Sequence, residues 1–438
     1  MTSRILKRKS NVGYIGLKRK MITNQDSLPE AGATIEPAEA TQPLPGGLRA
    51  IPGSIWALGF VSMFADISSE MIHSLLPVFL VSVLGASTLA VGVIEGIAES
   101  TALITKVFSG TLSDYLGRRK LLTTLGYGLA AFTKPLFPLA PSVAWIVTAR
   151  FIDRIGKGIR GAPRDALVGD IAPLHLRGAC YGLRQSLDTV GAFAGPLVAT
   201  ILMALTLNSF RTVFWIAVVP AFVALALMVF VKEAENVQPA GKARSPIRGA
   251  DFWQLGVAYW WLVLIAAVLT LARFSEAFLV LRAQNIGVPV ALVPLVMVVM
   301  NLAYAASAYP AGYFSDRMGR RLVLAAGFGV LIGSDFVLAL ATGVWQVMGG
   351  VVLWGLHMGL TQGLLAALVA DTTPSHLRGT AFGVFNLASG VAMLIASFLA
   401  GWLWDHYGPQ ATFYAGAGFT TLALIGIVFG RPSGRGTE

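Results

Sequence analysis

The stretch WIVTARFIDRIGKGIRGAPRDALVGDIAPLHLRG, Trp145–Gly178, decides how the rest of the chain is interpreted. It carries seven charged side chains before Asp170, although it lies between two apolar runs, residues 121–140 and 179–206. At about 100° per residue, the seven charges fall within an arc of about 140° on one helix face. The pattern predicts a helix with a single charged stripe. The stripe consists of Arg150, Asp153, Arg154, Lys157, Arg160, Arg164 and Asp165.

The end of this stretch is repeated later in the chain. Residues 166–182 align with residues 367–383 at a shift of 201 positions, with 10 identities among 17 positions. The second copy follows an uncharged apolar run that is long enough to cross a bilayer. We therefore expect the first copy to be a membrane-spanning helix as well, with its charged stripe turned away from lipid.

The composition is typical of a helical membrane protein. The 438 residues are 55% hydrophobic and 13% charged, with a mean hydropathy of +0.70, whereas a soluble domain is about a quarter charged. The alternating segments of about 10 residues that a membrane β-barrel requires are absent. Residues 1–20 supply +7 of the net charge of +11, so the basicity lies mostly in a tail and we expect no nucleic-acid partner.

Apolar runs predict an all-α polytopic membrane protein with twelve transmembrane helices, which we call spans 1 to 12 in chain order. Spans 1–6 form a predicted first bundle (55–231) and spans 7–12 a second (254–430), joined by a polar cytoplasmic linker (232–253). Residues 1–54 are predicted to be a disordered basic cytoplasmic tail, and 431–438 a second cytoplasmic tail. The predicted spans are 55–83, 89–110, 121–140, 143–169, 179–206, 212–231, 254–282, 290–313, 322–342, 345–370, 379–403 and 411–430.

The placement of Lys and Arg predicts the orientation in the membrane. Loops on one side, with the linker, hold twelve such residues, and loops on the other side hold Arg211 and Arg282. Both termini should therefore be cytoplasmic, and we expect a multi-pass protein of the bacterial inner (plasma) membrane. The twelve residues are Arg118, Arg119, Lys120, Arg177, Lys232, Lys242, Arg244, Arg248, Arg317, Arg320, Arg321 and Arg378.

A second repeat follows spans 2 and 8. GTLSDYLGRR, residues 110–119, matches GYFSDRMGRR, residues 312–321, at a shift of 202. Two repeats at nearly one shift indicate two homologous six-helix halves in parallel orientation. Repeats of this kind build transporters whose substrate site lies between the halves near the bilayer midplane.

The repeated loop also suggests a cytoplasmic gate. Gly117 and Gly319 would allow a tight turn, and Asp114 or Asp316 could cap a helix start or pair with arginine to latch a closed state. The alternative is a simple positively charged turn. The predicted gate comprises Asp114, Gly117, Arg118, Asp170, Arg177, Asp316, Gly319, Arg320, Asp371 and Arg378.

With these motifs the chain resembles the major facilitator superfamily, and the resemblance covers residues 55–430. The loop pattern G-x-x-x-D-x-x-G-R-R occurs twice, and RIGKG at 154–158 is similar to the family's R-x-x-x-G motif. Gly191, Gly195 and Pro196 in span 5 are similar to the G-x-x-x-G-P motif associated with exporters, although Gly-x-x-x-Gly also serves plain helix packing. The resemblance implies alternating access, in which the two halves rock around a central cavity.

Carboxylates on spans 1 and 2 are the predicted carriers of a coupling proton. Asp66 and Glu70 share one face of span 1 with His73, and Glu95 and Glu99 share one face of span 2. Carboxylates inside a membrane are costly and usually face a cavity, often as proton carriers. The alternative is that they only neutralise the cations of span 4.

Two roles are open for the charges of spans 4 and 5. We count seven carboxylates against seven cations in the first-half helices, which favours a closed ion-pair network. Alternatively, Arg154 and Lys157, nearest the middle of the membrane, hold an anionic substrate group. For Arg160 and Arg164, closer to the cytoplasmic end, reaching out to water is a sufficient explanation. The residues selected for network or substrate binding are Arg150, Asp153, Arg154, Lys157 and Asp188.

The second half offers few polar points within its spans. They are Arg273, Glu276, Asp335 and His357. We interpret His357 as making a satisfied hydrogen bond between helices. The tryptophans are interpreted as interface or packing residues rather than ligand platforms; they are Trp345, Trp354, Trp402 and Trp404.

These observations favour a secondary active transporter, and within that class proton-coupled export (antiport) of a small organic solute or drug. The alternatives are an uptake symporter for an organic anion or a metal chelate, and a membrane sensor. The sequence contains neither a Ser/His/Asp arrangement nor a Cys or His cluster, which argues against an enzyme. It also lacks a phosphate-binding loop, which argues against ATP-driven pumping. We expect no cofactor and no bound metal. The expected partners are the lipid bilayer, protons and a small-molecule substrate, and we expect a monomer.

Overall fold

The computed structural model describes residues 50–233, 254–374 and 377–429, and helices make up almost all of them. Ten of the described helices are long and apolar enough to cross a membrane. Most of the predicted tails and linker, and the side chain of the predicted gate residue Asp316, lie outside the described part of the chain.

Twelve helical segments follow the order of the twelve predicted spans. The α-helix of span 3 has only 15 residues and ends at Thr133, where a short 3-10 turn follows, and span 4 is long enough but strongly charged. Both helices pack within the bundle. Span 3 packs on spans 4 and 6, and span 4 packs on spans 2 and 3. The helices are Gly53–His73 with Leu76–Ser82 (span 1), Thr88–Leu116 (2), Arg119–Thr133 (3), Val143–Ile171 (4), Arg177–Leu205 (5), Phe210–Leu227 (6), Val257–Ala272 with Ala277–Asn285 (7), Leu295–Met318 (8), Arg320–Leu340 (9), Val344–Asp371 (10), Arg378–Tyr407 (11) and Pro409–Phe429 (12).

The second half, spans 7–12, repeats the helix pairings of the first half, spans 1–6. Span 1 packs on spans 5 and 6, and span 7 packs likewise on spans 11 and 12. Gly126 of span 3 lies against Arg160 of span 4, and Gly327 of span 9 lies against Thr361 of span 10. Since both contacts are related by the shift of 201 residues, the sequence repeat extends to the packing.

Glycines with a left-handed backbone form both turns of the repeated loop motif. Gly117, with φ 61°, ends the helix of span 2, and Gly319, with φ 90°, separates spans 8 and 9. Such values strain any residue that has a Cβ atom. We call the end of the bundle that carries these two turns the motif end, and the opposite end the far end.

Hydrogen bonds join the two halves at the far end. Asp405 at the end of span 11 accepts bonds from the backbone N–H groups of Thr88 (3.2 Å) and Leu89 (2.9 Å) in the first turn of span 2. The Thr88 hydroxyl also donates to Asp405. Gln284 of span 7 donates from Nε2 to Ser82 Oγ of span 1 at 2.7 Å. A carboxylate is well placed there because the N-terminus of a helix carries partial positive charge.

Small residues bring the halves into close contact along spans 2 and 11. A Cβ atom at Gly96 would lie 3.1 Å from the carbonyl oxygen of Leu394, and one at Gly401 would lie 2.6 Å from that of Thr88. Larger side chains at either glycine would push the two helices apart. The far end is therefore closed by backbone approach as well as by hydrogen bonds.

An arginine satisfies the last carbonyl groups of span 9. Arg282, which was placed in a loop by the sequence analysis, lies in the helix Ala277–Asn285 and is 2% exposed. It donates to the carbonyl oxygens of Leu338, Ala339 and Ala341 at 2.9–3.1 Å. These bonds replace the intrahelical partners that the end of a helix lacks.

Candidate functional site

A cavity of about 200 Å³ lies between the two halves. The first half lines it with Glu70 and His73 of span 1, Glu99 of span 2, and Arg154 and Lys157 of span 4. Charged groups of both signs therefore meet in a space that both halves enclose. The residues from the second half are Arg273, Phe274, Ser275, Glu276, Trp354 and Met393.

Interrupted helices border the cavity on both sides. The helix of span 1 ends at His73 and resumes at Leu76, and the helix of span 7 ends at Ala272 and resumes at Ala277. The two interruptions coincide when the halves are aligned at the repeat shift of 201–202 residues. Interruptions at matching positions mark the binding site in transporters built from repeats.

The interruptions were missed by the sequence analysis, which predicted spans 1 and 7 as continuous. Neither interruption contains a glycine, the residue that commonly breaks a helix. Pro77, just after the first interruption, is a local signal that could have suggested it, because proline favours the first turn of a new helix. The second interruption has no such signal.

His73 lies between two carboxylates. Its Nδ1 is 3.5 Å from Glu70 Oε2, and its Nε2 is 3.4 Å from Glu95 Oε2. The Glu95 oxygen also accepts a bond of 2.8 Å from Arg150 Nη2. Glu70 lines the cavity, whereas Glu95 is completely buried. His73 thus connects the cavity to a buried ion pair behind it.

Two further ion pairs hold span 4 in place. Arg154 Nη1 lies 3.3 Å from Glu99 Oε1, beside the cavity. Asp153 accepts a bond of 2.8 Å from Lys134 of span 3, and both side chains are almost fully buried. The sequence count of seven cations overlooked Lys134, although it lies within predicted span 3.

A second cluster of charges lies on spans 4 and 5. Arg164 lies 3.3 Å from Asp165 and 3.5 Å from Asp188, and Arg184 lies 3.8 Å and 3.6 Å from the same two carboxylates. Asp66 lies beside Asp188 and does not line the cavity. The four predicted proton carriers are thus divided, since Glu70 and Glu99 border the cavity and Glu95 and Asp66 do not.

Glycines of span 5 position the carboxylates of span 1. A Cβ atom at Gly191 would lie 3.0 Å from Asp66 Cβ, and one at Gly195 would lie 2.7 Å from Glu70 Cβ. Pro196 is buried inside the helix. The Gly-x-x-x-Gly-Pro motif therefore brings span 5 directly against the charged face of span 1.

Two cations of span 4 that were expected near the cytoplasmic end do not extend into water. Arg160 is 4% exposed and its guanidinium lies 4.5 Å from the centre of the Tyr127 ring, a cation–π contact. Arg164 donates to Ser62 Oγ at 3.1 Å in addition to its ion pairs. Snorkelling therefore does not account for either side chain.

Predicted gate carboxylates pair with an arginine in each half. Arg119 lies 2.8 Å from Asp170 and 3.4 Å from Asp114. Arg320 pairs with Asp371. Neither of these sets of contacts crosses from one half to the other.

The remaining gate residues take other places. Arg177 donates from Nη2 to the carbonyl oxygen of Gly169 at 3.2 Å. Arg118 and Arg378 are exposed. Arg119, which the sequence analysis did not select, makes the contacts that were expected of its neighbour Arg118.

Two polar residues buried in the second half, Asp335 and His357, are poorly satisfied. His357 Nε2 has no hydrogen-bond partner among the described residues, so the expectation of a satisfied interhelical bond was wrong. Both carboxyl oxygens of Asp335 also lack a partner in the described part of the chain, and the residue is fully buried. Trp354, interpreted as an interface or packing residue, is buried and also lines the cavity.

Comparisons with known proteins agree with the repeated motifs. The family model described as Major Facilitator Superfamily matches residues 58–281 and 260–438. An uncharacterized MFS-type transporter of Methanocaldococcus jannaschii is 31% identical over 398 residues, which cover 87% of this chain and 96% of the relative. A gentisate transporter of Corynebacterium glutamicum is 28% identical over 77% of this chain and 78% of its own length.

A solved structure shows the same fold. The nucleoside transporter NupG superposes with a TM-score of 0.70 over 86% of this chain and 98% of its own, at 12% identity. At that identity the likeness concerns the fold alone. The predicted fold class, an all-α membrane protein with two homologous six-helix bundles, is confirmed.

Proposed function

The chain belongs to the major facilitator superfamily, and we propose that it is a secondary active transporter that couples proton movement to the export of a small organic solute. One observation carries the proposal. A row of titratable side chains, Glu70, His73 and Glu95, runs from the cavity between the halves to the buried Arg150. A proton taken up at the cavity therefore has acceptors inside the first half.

Glu70 and Glu99 are the proposed sites of proton exchange, because both border the cavity. Protonation of Glu99 removes the counter-charge of Arg154, and protonation of Glu70 weakens its contact with His73. Either event changes the charge that a solute meets in the cavity. Glu95 and Asp66 do not border the cavity, so neither is proposed to exchange protons with it directly.

Electrostatic interaction within the cavity would couple the two movements. A positively charged group that a solute brings into the cavity favours the ionised forms of Glu70 and Glu99 and so displaces a proton. Binding of solute and binding of proton then alternate as the halves rock, which is antiport. The Gly-x-x-x-Gly-Pro motif of span 5 adds the resemblance to exporters.

We also propose the orientation of the cycle. The halves meet at the far end through Asp405 and the close approach of spans 2 and 11. If the motif end is cytoplasmic, as the Lys and Arg placement predicts, this conformation is closed toward the outside. The gate residues at the motif end would then engage across the halves only when that end closes. Tags at both termini and in the linker 232–253 should all report the cytoplasm, whereas an external linker would contradict two parallel halves.

Uptake of an organic anion with protons is the second candidate. The gentisate transporter, 28% identical, is named for an organic anion, and its name favours an anionic solute without giving a direction. In that mode a proton on Glu99 frees Arg154 to bind the anion, so proton and solute travel together. The sign of the coupling separates the two candidates.

The test uses purified protein in liposomes that carry an internal pH-sensitive dye and an imposed pH gradient. Candidate solutes are added outside, and proton movement and solute content are followed together. Antiport predicts that protons and solute move in opposite directions, and symport predicts the same direction. Solute movement with no accompanying proton movement would contradict proton coupling in both forms.

A further inference from the structure

Some charged groups in the cavity already have partners. Glu70 contacts His73 at 3.5 Å, and Glu99 contacts Arg154 at 3.3 Å. These groups balance one another within the first half. They leave the chemistry of the bound solute to the remaining charged side chains.

Three charged residues of the cavity make no ion pair among the described residues. Lys157 of span 4 is exposed to the cavity, and Arg273 and Glu276 lie in the interruption of span 7. The interruption matters because it turns a short non-helical segment, with both of its charges, toward the space between the halves. Two cations and one carboxylate thus remain for a ligand.

An apolar surface lies next to these charges. The rings of Phe274 and Trp354 pack with their centroids 5.4 Å apart, and Met393 completes this side of the cavity. Aromatic side chains offer a large contact area for an apolar or aromatic part of a ligand. The cavity therefore combines separate positive, negative and apolar contacts.

We propose that the cavity binds a small zwitterion, an inference that rests on the proposed transport function. Its anionic group lies between Lys157 and Arg273, its ammonium group lies at Glu276, and its side chain lies on Phe274 and Trp354. A charge that lines a cavity is stabilised by an opposite charge in contact with it, and only a ligand with both signs contacts all three in this way. An anion would meet the repulsion of Glu276, and a cation would meet the repulsion of Lys157 and Arg273.

The arrangement also explains how the ligand reaches both halves. Lys157 belongs to span 4 in the first half, and Arg273 and Glu276 belong to span 7 in the second. A zwitterion that bridges them stabilises the conformation in which the halves approach each other. Binding energy is thereby linked to the rocking movement.

The experiment measures thermal unfolding of the purified full-length protein in detergent with matched probes. One set is phenylalanine, 3-phenylpropionate and 2-phenylethylamine, which share a ring and differ in charge. A second set is alanyl-phenylalanine with its deaminated and decarboxylated analogues. We expect the zwitterion of at least one set to raise the unfolding temperature, by on the order of 2 °C at saturation, and its matched anion and cation to have smaller effects.

Variants assign the contacts. Glu276→Gln should transfer the preference to the matched anion, because the carboxylate that repels it is gone. Lys157→Gln should weaken zwitterion binding and raise the relative effect of the matched cation. Lys106→Gln, which changes an exposed cation of span 2 that does not line the cavity, is the control and should keep the wild-type order.

Three results would overturn the inference: no probe stabilises the wild type, an anion or cation stabilises it as well as the zwitterion does, or Glu276→Gln leaves the order of probes unchanged. Binding in detergent needs no pH gradient, so the outcome is separable from the proposed function. Zwitterion binding with no proton movement in liposomes would refute the coupling alone. Proton-coupled movement of other solutes with no zwitterion binding would refute this inference alone.

Discussion

Two positions that are equivalent in the sequence repeat carry different residues in the two halves. In the first half Lys134 of span 3 pairs with Asp153 of span 4 at 2.8 Å. A shift of 201 residues places Asp335 and Trp354 at the corresponding positions of spans 9 and 10. There the carboxyl group has no hydrogen-bond partner among the described residues, and the tryptophan lines the cavity.

The cations of span 4 also differ from the residues at the equivalent positions of the second half. Arg154 corresponds to Gly355 and Lys157 to Met358, so the second half builds the equivalent helix without either cation. Gly355 instead packs closely on Met300 of span 8. The fold therefore does not require these charges. Residues that are the same at equivalent positions of the two halves indicate shared packing. Residues that differ indicate a role that only one half has.

The largest expected effect is on the buried pair of the first half. Lys134→Met leaves Asp153 buried without its partner and should destabilise the protein by about 3–5 kcal/mol. Replacing Asp153 by Leu as well should recover most of the loss. Thermal unfolding of the purified variants measures both. If the double variant is as unstable as the single one, the pair is not what stabilises spans 3 and 4.

A smaller effect is expected for the pair beside the cavity. Glu99 is 30% exposed, so Arg154→Gln should cost about 1–3 kcal/mol, and adding Glu99→Gln should restore expression and stability. This double-variant comparison also decides the role of Arg154. A single variant that is stable but has lost affinity for the solute, with no rescue by any carboxylate substitution, would assign Arg154 to the substrate site.

The contact between the halves should affect conformation more than stability. Asp405→Ala removes the acceptor for Thr88 and Leu89 and should favour opening of the far end by about 1–2 kcal/mol, or roughly 5- to 30-fold. A cysteine introduced at Met393, in a Cys180→Ala background, then reacts faster with a membrane-impermeant maleimide added outside intact cells.

The matched control is Asp371→Ala, which breaks a pair within one half at the motif end. It should leave the external labelling rate near that of the parent. Equal labelling of the parent and the Asp405→Ala variant would show that this contact does not close the far end.

The smallest effect is expected in the second half. Asp335→Asn removes a fully buried carboxyl group that makes no hydrogen bond in the described residues, so it should be neutral or slightly stabilising. The expected effect on stability is therefore far smaller than that of Lys134→Met at the equivalent position of the first half. A loss above about 2 kcal/mol in thermal unfolding would mean that Asp335 has a partner that balances it.

Repeats and apolar runs were sufficient to predict the fold. The shift of 201–202 residues identified two halves, and the charged stripe of span 4 faces its neighbours in the bundle instead of lying exposed along its whole length. The charged stripe predicted the buried face of span 4 because several charges on one helix face can be buried only against partners on adjacent helices.

Pairing within the site was not predictable in the same way. Lys134 is a single cation in an apolar run, so it forms no stripe and was overlooked. The position of His73 between Glu70 and Glu95 depends on how spans 1 and 2 cross, which periodicity on one helix does not specify. The interruption at residues 273–276 has no glycine or proline, so only the folded structure reveals that Arg273 and Glu276 turn into the cavity.

The central claim is that the first half carries the proton and the second half only contacts the solute. Its most direct test compares two carboxylates of one cavity, Glu70→Gln and Glu276→Gln, in liposomes with a pH gradient and the best zwitterion probe. We predict that Glu70→Gln loses proton movement but still exchanges solute, and that Glu276→Gln keeps the coupling ratio while its affinity falls. Loss of coupling in Glu276→Gln, with normal proton movement in Glu70→Gln, would contradict the account.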